Sequence, residues 1–127
     1  MPLTKIELIR GRQKDSLLRI RDQIMDSIAS VLQLPVDDRN ISLTEYEPEF
    51  FTMKPPYEIL ISITLFKGRT RETKRKLFQS ITTSLENAGF AKKENIFICL
   101  NEQPTENWGI RGGIPADEID LGININL

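Results

Sequence analysis

A shift of about 57 positions lays one half of this 127-residue chain onto the other. Ile6 then meets Ile63, Leu8 meets Leu65, Gly11 meets Gly68, Arg12 meets Arg69, Lys14 meets Arg71 and Asp15 meets Glu72. Further along, Ile20, Ile24 and Ile28 meet Leu77, Ile81 and Leu85. Such a repeat constrains folding more than any composition figure, because both halves must build the same unit. In each half an alternating apolar run passes into a Gly-Arg turn, then into apolar residues spaced by three and four. That is the signature of a strand leading into an amphipathic helix.

Leu17, Ile20, Ile24, Ile28 and Leu32 mark the first helix. It is expected to stop before Pro35, since a residue preceding proline is pushed out of the helical region. Leu77, Ile81, Leu85 and Ala88 mark the second, and Gly89 suits the left-handed residue that closes a helix. Alternation resumes after each helix, at Ile41, Leu43 and Glu45 and at Ile96, Ile98 and Leu100. The reading is one domain of α/β (α+β) class: two tandem β-α-β units, residues 2–46 and 57–101, forming a mixed sheet with two helices on one face. A connector from Glu47 to Pro56 carries Phe50, Phe51 and Met53, and a tail covers residues 102–127. The alternating Leu121, Ile123, Ile125 and Leu127 predict an added strand in that tail. From Tyr57 to Phe66 nearly every position is apolar, which suits a sheet covered on both faces. With no third layer in the chain, a closed ring of subunits is the expected cover.

Composition removes whole classes of chemistry. There is no His, so the commonest general base and zinc ligand are absent, and the lone Cys99 excludes disulfides and CxxC redox chemistry. No metal and no cofactor are expected. Cys99 itself reads as an inert buried thiol between Ile98 and Leu100. Seventeen Lys and Arg against eighteen Asp and Glu argue against a generic nucleic-acid or membrane-surface binder. Neither a membrane span nor a signal peptide is visible, which predicts a soluble cytoplasmic protein.

Four places remain for chemistry. Pro2 follows the initiator Met, and removal of Met1 leaves a proline secondary amine; burial or nearby cations would favour its neutral form and make it a general base. A chain that keeps Met1 has an amide there, and Pro2 then merely begins an edge strand. Arg69 and Arg71 stand at the turn that opens the second helix, where two guanidiniums beside free N–H groups suit a carboxylate. With Lys74, Arg75 and Lys76 continuing the run, a solvated basic face is the plain alternative. Asp37 and Asp38 lie in a turn after the first helix, where acids commonly cap their own backbone. Trp108 sits in the glycine-rich Asn107 to Gly113, a setting for a pocket wall or for an anchor of the tail.

Together these residues resemble the tautomerase superfamily, and among its long-chain trimeric members the malonate semialdehyde decarboxylase branch. The opening Pro2 to Arg12, the Asp38-Arg39 pair, Arg69-x-Arg71 and Asn107-Trp108 occur in the expected order. The resemblance implies Pro2 as the acid/base amine, Asp38 as its acidic partner, Arg69 and Arg71 as holders of a substrate carboxylate, and Trp108 and Ile110 as pocket wall. Ile110 departs from the phenylalanine common at that position. It implies a homotrimer performing cofactor-independent chemistry on a small 2- or 3-oxo carboxylic acid, by keto-enol tautomerisation or decarboxylation. In tautomerisation a neutral amine moves the proton, whereas decarboxylation uses a cationic proline that the Asp38 carboxylate would favour. A non-catalytic interaction or signalling protein of the same fold is the alternative, or a nucleic-acid module on a ferredoxin-like frame. The strands offer few aromatics for stacking bases, which weighs against the nucleic-acid reading.

Overall fold

The computed structural model describes residues 1–127. β1 (Leu3–Ile9), α1 (Lys14–Leu32) and β2 (Ile41–Tyr46) form one unit; β3 (Ile59–Phe66), α2 (Arg71–Asn87) and β4 (Ile96–Gln103) form the other. Their strands make a four-stranded sheet in the order β2-β1-β3-β4. Within each unit the strands are parallel, and the units join through antiparallel β1 and β3. Leu8 faces Ile59, Ile6 faces Ile61 and Thr4 faces Ile63. Exchanging the halves by the sequence shift maps this register onto itself, so a local twofold axis passes through the centre of the sheet.

The helix ends follow from local chemistry. Gln33 closes α1 in the left-handed region, at φ 52°, and both its N–H and that of Leu34 return to the carbonyl of Ala29. Thr70 caps α2, its hydroxyl accepting from the N–H of Thr73 at 3.1 Å. Gly89 at φ 78° ends the helix as its sequence position predicts. Gly11 and Gly68, the paired turn glycines, adopt the same unusual backbone, at φ 140° and 129°.

Both helices lie on one face. Ile6, Leu8, Ile59, Ile61, Ile63 and Leu65 from the sheet close on Ile20, Ile24 and Ile28 of α1 and Leu77, Ile81 and Leu85 of α2. All are buried, each side chain contributing about 1.5–3 kcal/mol relative to exposure. Ser27 ties the helices together by donating to the carbonyl of Ser80 at 3.4 Å. No helix is long and apolar enough to cross a membrane.

β3 is buried on its helix side, and Leu60, Ser62 and Thr64 alternate onto the other face half-buried, the face expected to be covered by a partner. Two expectations need correction. Cys99 is exposed, because odd positions of β4 point away from the helices. The tail forms no added strand: residues 119–127 pair with no strand. Its alternation is nonetheless physical, since Leu121, Ile123, Ile125 and Leu127 are half-buried while Gly122, Asn124 and Asn126 are exposed. The segment is strapped to the start of α2 by side chains instead. The hydroxyls of Thr70 and Thr73 donate to the main-chain oxygen of Leu127 at 3.2 and 2.5 Å.

Candidate active site

The start of β1 lies beside the end of β3. Extending the register beyond Leu3 and Thr64 sets Met1 opposite Phe66, on the face away from the helices. A short hairpin, β5 (Gly109–Ile110) and β6 (Ile114–Pro115), folds over this corner. Trp108, just before the hairpin, lies against Phe66 with ring centroids 4.7 Å apart, and its indole N–H donates to the carbonyl of Gln103 at 3.4 Å. Phe66, Trp108 and Ala116 form a second apolar cluster, flanked by Met1, Ile110, Leu121, Ile123 and Ile125.

A cavity of about 240 Å³ opens beside that cluster, lined by Met1, Pro35, Asp37, Asp38, Phe66, Arg111, Leu121 and Ile123. Pro2 is buried at its edge, with its nitrogen bonded to the residue that lines the cavity. Asp38 is brought there by the turn that follows α1, where its N–H donates to the carbonyl of Pro35 at 3.0 Å. One carboxylate oxygen accepts from the side-chain amide of Asn40 at 2.9 Å, and the other accepts from the terminal ammonium of Met1. An acid in the turn thus serves as partner to the chain terminus, 37 residues away in sequence.

The arginines divide. Arg69 is only 5% exposed; its Nη1 donates to the carbonyl of Asn124 at 2.7 Å, while Nε and Nη2 have no partner. Burial pushes the pKa of this guanidinium down from its ordinary value. Arg71 is exposed and lies with Lys74, Arg75 and Phe78 in a separate depression on α2, not in the lining of the terminus cavity. Trp108 and Ile110 belong to the apolar layer beside the cavity and are not among its lining residues. Sequence reasoning missed Arg111, gave Leu121 and Ile123 no part in the site, and named Asp37 only with Asp38 in the turn. Arg111 stands in the glycine-rich loop already noted for Trp108, and that was its one signal. No three acidic or cysteine side chains converge as a metal site.

The repeat generates a second cavity at the opposite end of the sheet, lined by Ile9, Arg10, Gly11, Arg12 and Glu58. By the 57-position shift Glu58 takes the place of Met1, Ile9 that of Phe66 and Arg12 that of Arg69. Here Arg12 has a carboxylate nearby, with Nη2 3.8 Å from Oε2 of Glu58. Its counterpart Arg69 has none, because the chain terminus stands where the acid would be.

Comparison with known proteins establishes the family. Residues 54–111 match the family model described as "Tautomerase enzyme". A probable tautomerase, YusQ of Bacillus subtilis (strain 168), is 30% identical over an alignment of 121 positions that covers 89% of this chain and 95% of that protein. The structure of FG41 malonate semialdehyde decarboxylase inhibited by 3-bromopropiolate superposes with a TM-score of 0.75 and 28% identity, covering 89% of this chain and 92% of that one. A fused 4-OT, solved as a symmetric trimer, superposes with a TM-score of 0.81 at 17% identity over 91% of this chain and 96% of that one, a likeness of fold. Likeness along nearly the whole length of a relative places the chain in the tautomerase family, as a tautomerase-type enzyme.

Proposed function

We propose that the chain, once Met1 is removed, uses the secondary amine of Pro2 to act on a small 2- or 3-oxo carboxylic acid without a cofactor. The contrast between Arg12 and Arg69 carries this reading. The repeat places a carboxylate near the first guanidinium, at Glu58, and none beside the second, so a substrate carboxylate would satisfy the free Nε and Nη2 of Arg69. Arg69 follows β3, whose end lies beside the start of β1; it is not among the residues lining the terminus cavity, so an acid bound in that cavity would meet it only where the buried guanidinium is uncovered. The cavity is smaller than the roughly 300–1,000 Å³ of pockets for drug-sized ligands, which suits a short acid.

In ketonisation the amine and its conjugate acid move a proton between carbon and oxygen, while the arginine stabilises charge on the enolate. In decarboxylation of a 3-oxo acid, a cationic proline polarises the carbonyl as the carbon–carbon bond to the carboxylate breaks. Asp38, facing the terminal amine, serves the second reaction by supporting a cation. Trp108 and Ile110 hold the cavity's apolar side in place. Arg71 lies outside this cavity, so its part in carboxylate binding requires a neighbouring copy to bring its own terminus to α2. Self-association, as in the trimeric fused 4-OT, supplies such a neighbour and covers the open face of the sheet.

The test is a mass spectrum of untagged protein, with phenylpyruvate ketonisation and malonate semialdehyde decarboxylation assayed for wild type and Pro2→Ala. Loss of Met1 and an activity that collapses in the variant are expected. Activity indifferent to Pro2 sinks the proline mechanism and moves the reading to a binding role on the same fold.

A further inference from the structure

The terminus cavity has a charge problem that Pro2, Asp38 and Arg69 leave unsolved. Its lining holds two carboxylates, Asp37 and Asp38, yet the reading above requires it to admit an anion. The terminal amine answers one of them, through Asp38. The single cationic side chain in the lining is Arg111, at the tip of the β5–β6 hairpin. No carboxylate pairs with it, and its Nη1 meets only the main-chain oxygen of Asp120, at 3.3 Å. Lacking Arg111, at least one carboxylate of the lining would go unanswered and oppose the entry of an acid.

The backbone points the same way. Arg111 adopts φ 50°, in the left-handed region, and is followed by Gly112 at φ 92° and Gly113 at φ 81°. A residue with a Cβ is disfavoured there, and glycine would fit the turn more easily. A long cationic side chain in a glycine position, aimed at a cavity, marks a place where binding outweighs local backbone preference. Arg111 also lies in the tail, outside the repeat, so the second cavity at Glu58 has no counterpart of it.

We infer that Arg111 is a specificity-determining residue of this enzyme: it draws the substrate's carboxylate into the terminus cavity and selects acids over their neutral analogues. The inference rests on the proline reading for its chemistry but not for its binding step. It is tested on Met1-processed protein by ketonisation of the enols of phenylpyruvate and of its methyl ester, from the kcat/KM of wild type, Arg111→Gln, Arg111→Lys, Arg111→Gly and Pro2→Ala. Arg111→Gln is expected to raise KM for the acid and to lower the acid-to-ester ratio of kcat/KM about 10-fold or more. Lysine should restore most of that ratio by restoring the charge. Arg111→Gly should lose selectivity while its Tm equals or exceeds that of wild type, an outcome a structural role for the arginine forbids. An acid-to-ester ratio unchanged in Arg111→Gln, beside an inactive Pro2→Ala, overturns the role of Arg111 alone. Activity that survives Pro2→Ala overturns the proline mechanism, and the ratio still decides on Arg111.

Discussion

Phe66 and Trp108 meet with their ring planes at 59° and lie between the sheet and the C-terminal tail. This pair is the floor on which the terminus, the hairpin and the tail all rest. Trp108→Ala should cost about 3–5 kcal/mol of stability, measured by urea denaturation, and should abolish activity even where the chain stays folded. Trp108→Phe should retain most of both. A Trp108→Ala variant as stable as wild type would mean the cluster does not hold the tail.

Asp38 separates the two candidate reactions. Its carboxylate accepts from the terminal ammonium of Met1, and on the proline mechanism it would face the Pro2 amine once Met1 is gone, where only a cationic proline needs such support. Asp38→Asn should lower kcat/KM for decarboxylation at least about 10-fold more than for ketonisation. Equal losses in the two assays would show that Asp38 only shapes the turn.

Arg69 sets stability against activity. Two of its nitrogens are buried without partners, a penalty of about 1–3 kcal/mol that a substrate carboxylate would relieve. Arg69→Met should therefore raise the urea midpoint while abolishing activity on the oxo acid. A variant that is both less stable and fully active would place the anion elsewhere.

Gly68 bears on the tail. A Cβ there would lie 2.7 Å from Oδ1 of Asn126 and 3.2 Å from the carbonyl of Ile125, on a backbone already at φ 129°. Gly68→Ala should cost about 1–3 kcal/mol and speed hydrogen exchange in residues 121–127. Gly11→Ala shares the backbone penalty but meets nothing within 4 Å, so it should leave the tail's exchange unchanged.

The Glu102 carboxyl is held below its ordinary range, chiefly by its hydrogen bond from Lys74 at 2.5 Å. A carboxyl whose pKa falls on folding adds stability above its unfolded value, near 4.3, and that contribution is lost as pH drops through the lower folded value. Thermal melts between pH 6 and about pH 3 should show an acid loss that is smaller in Glu102→Gln. Identical pH profiles would mean the pair contributes nothing to folding.

The repeat made the fold readable. Positions Ile20, Ile24 and Ile28 and their counterparts Leu77, Ile81 and Leu85 face one core because a helix period repeated at the same offset admits one arrangement. Within the candidate site, Pro2 drew notice by its place next to Met1, whereas the turn of Asp38 by itself suggests a backbone cap and its role came from the resemblance. Arg71 stands apart from the terminus cavity of its own chain, because adjacency along a helix start says nothing about which face or which subunit a side chain meets. Arg111 stayed hidden because its place in the cavity depends on a left-handed turn and a hairpin folding back over Phe66, neither of which leaves a periodic trace. The tail misled for a related reason: alternate burial needs only an extended segment on an apolar surface, with or without a ladder of hydrogen bonds.

Met1 forms part of the cavity wall, and this governs how such a protein can be handled and matured. On the proline mechanism whatever precedes Pro2 must be removed before its nitrogen becomes an amine, and an aminopeptidase that takes Met1 is then the switch that turns the enzyme on. Any purification tag placed ahead of Pro2 would have to leave through the cavity mouth, past Asp38 and Arg111. Such a preparation would pass every test of folding and fail every test of turnover, whereas a tag on the other end must contend only with the strap at Thr70 and Thr73.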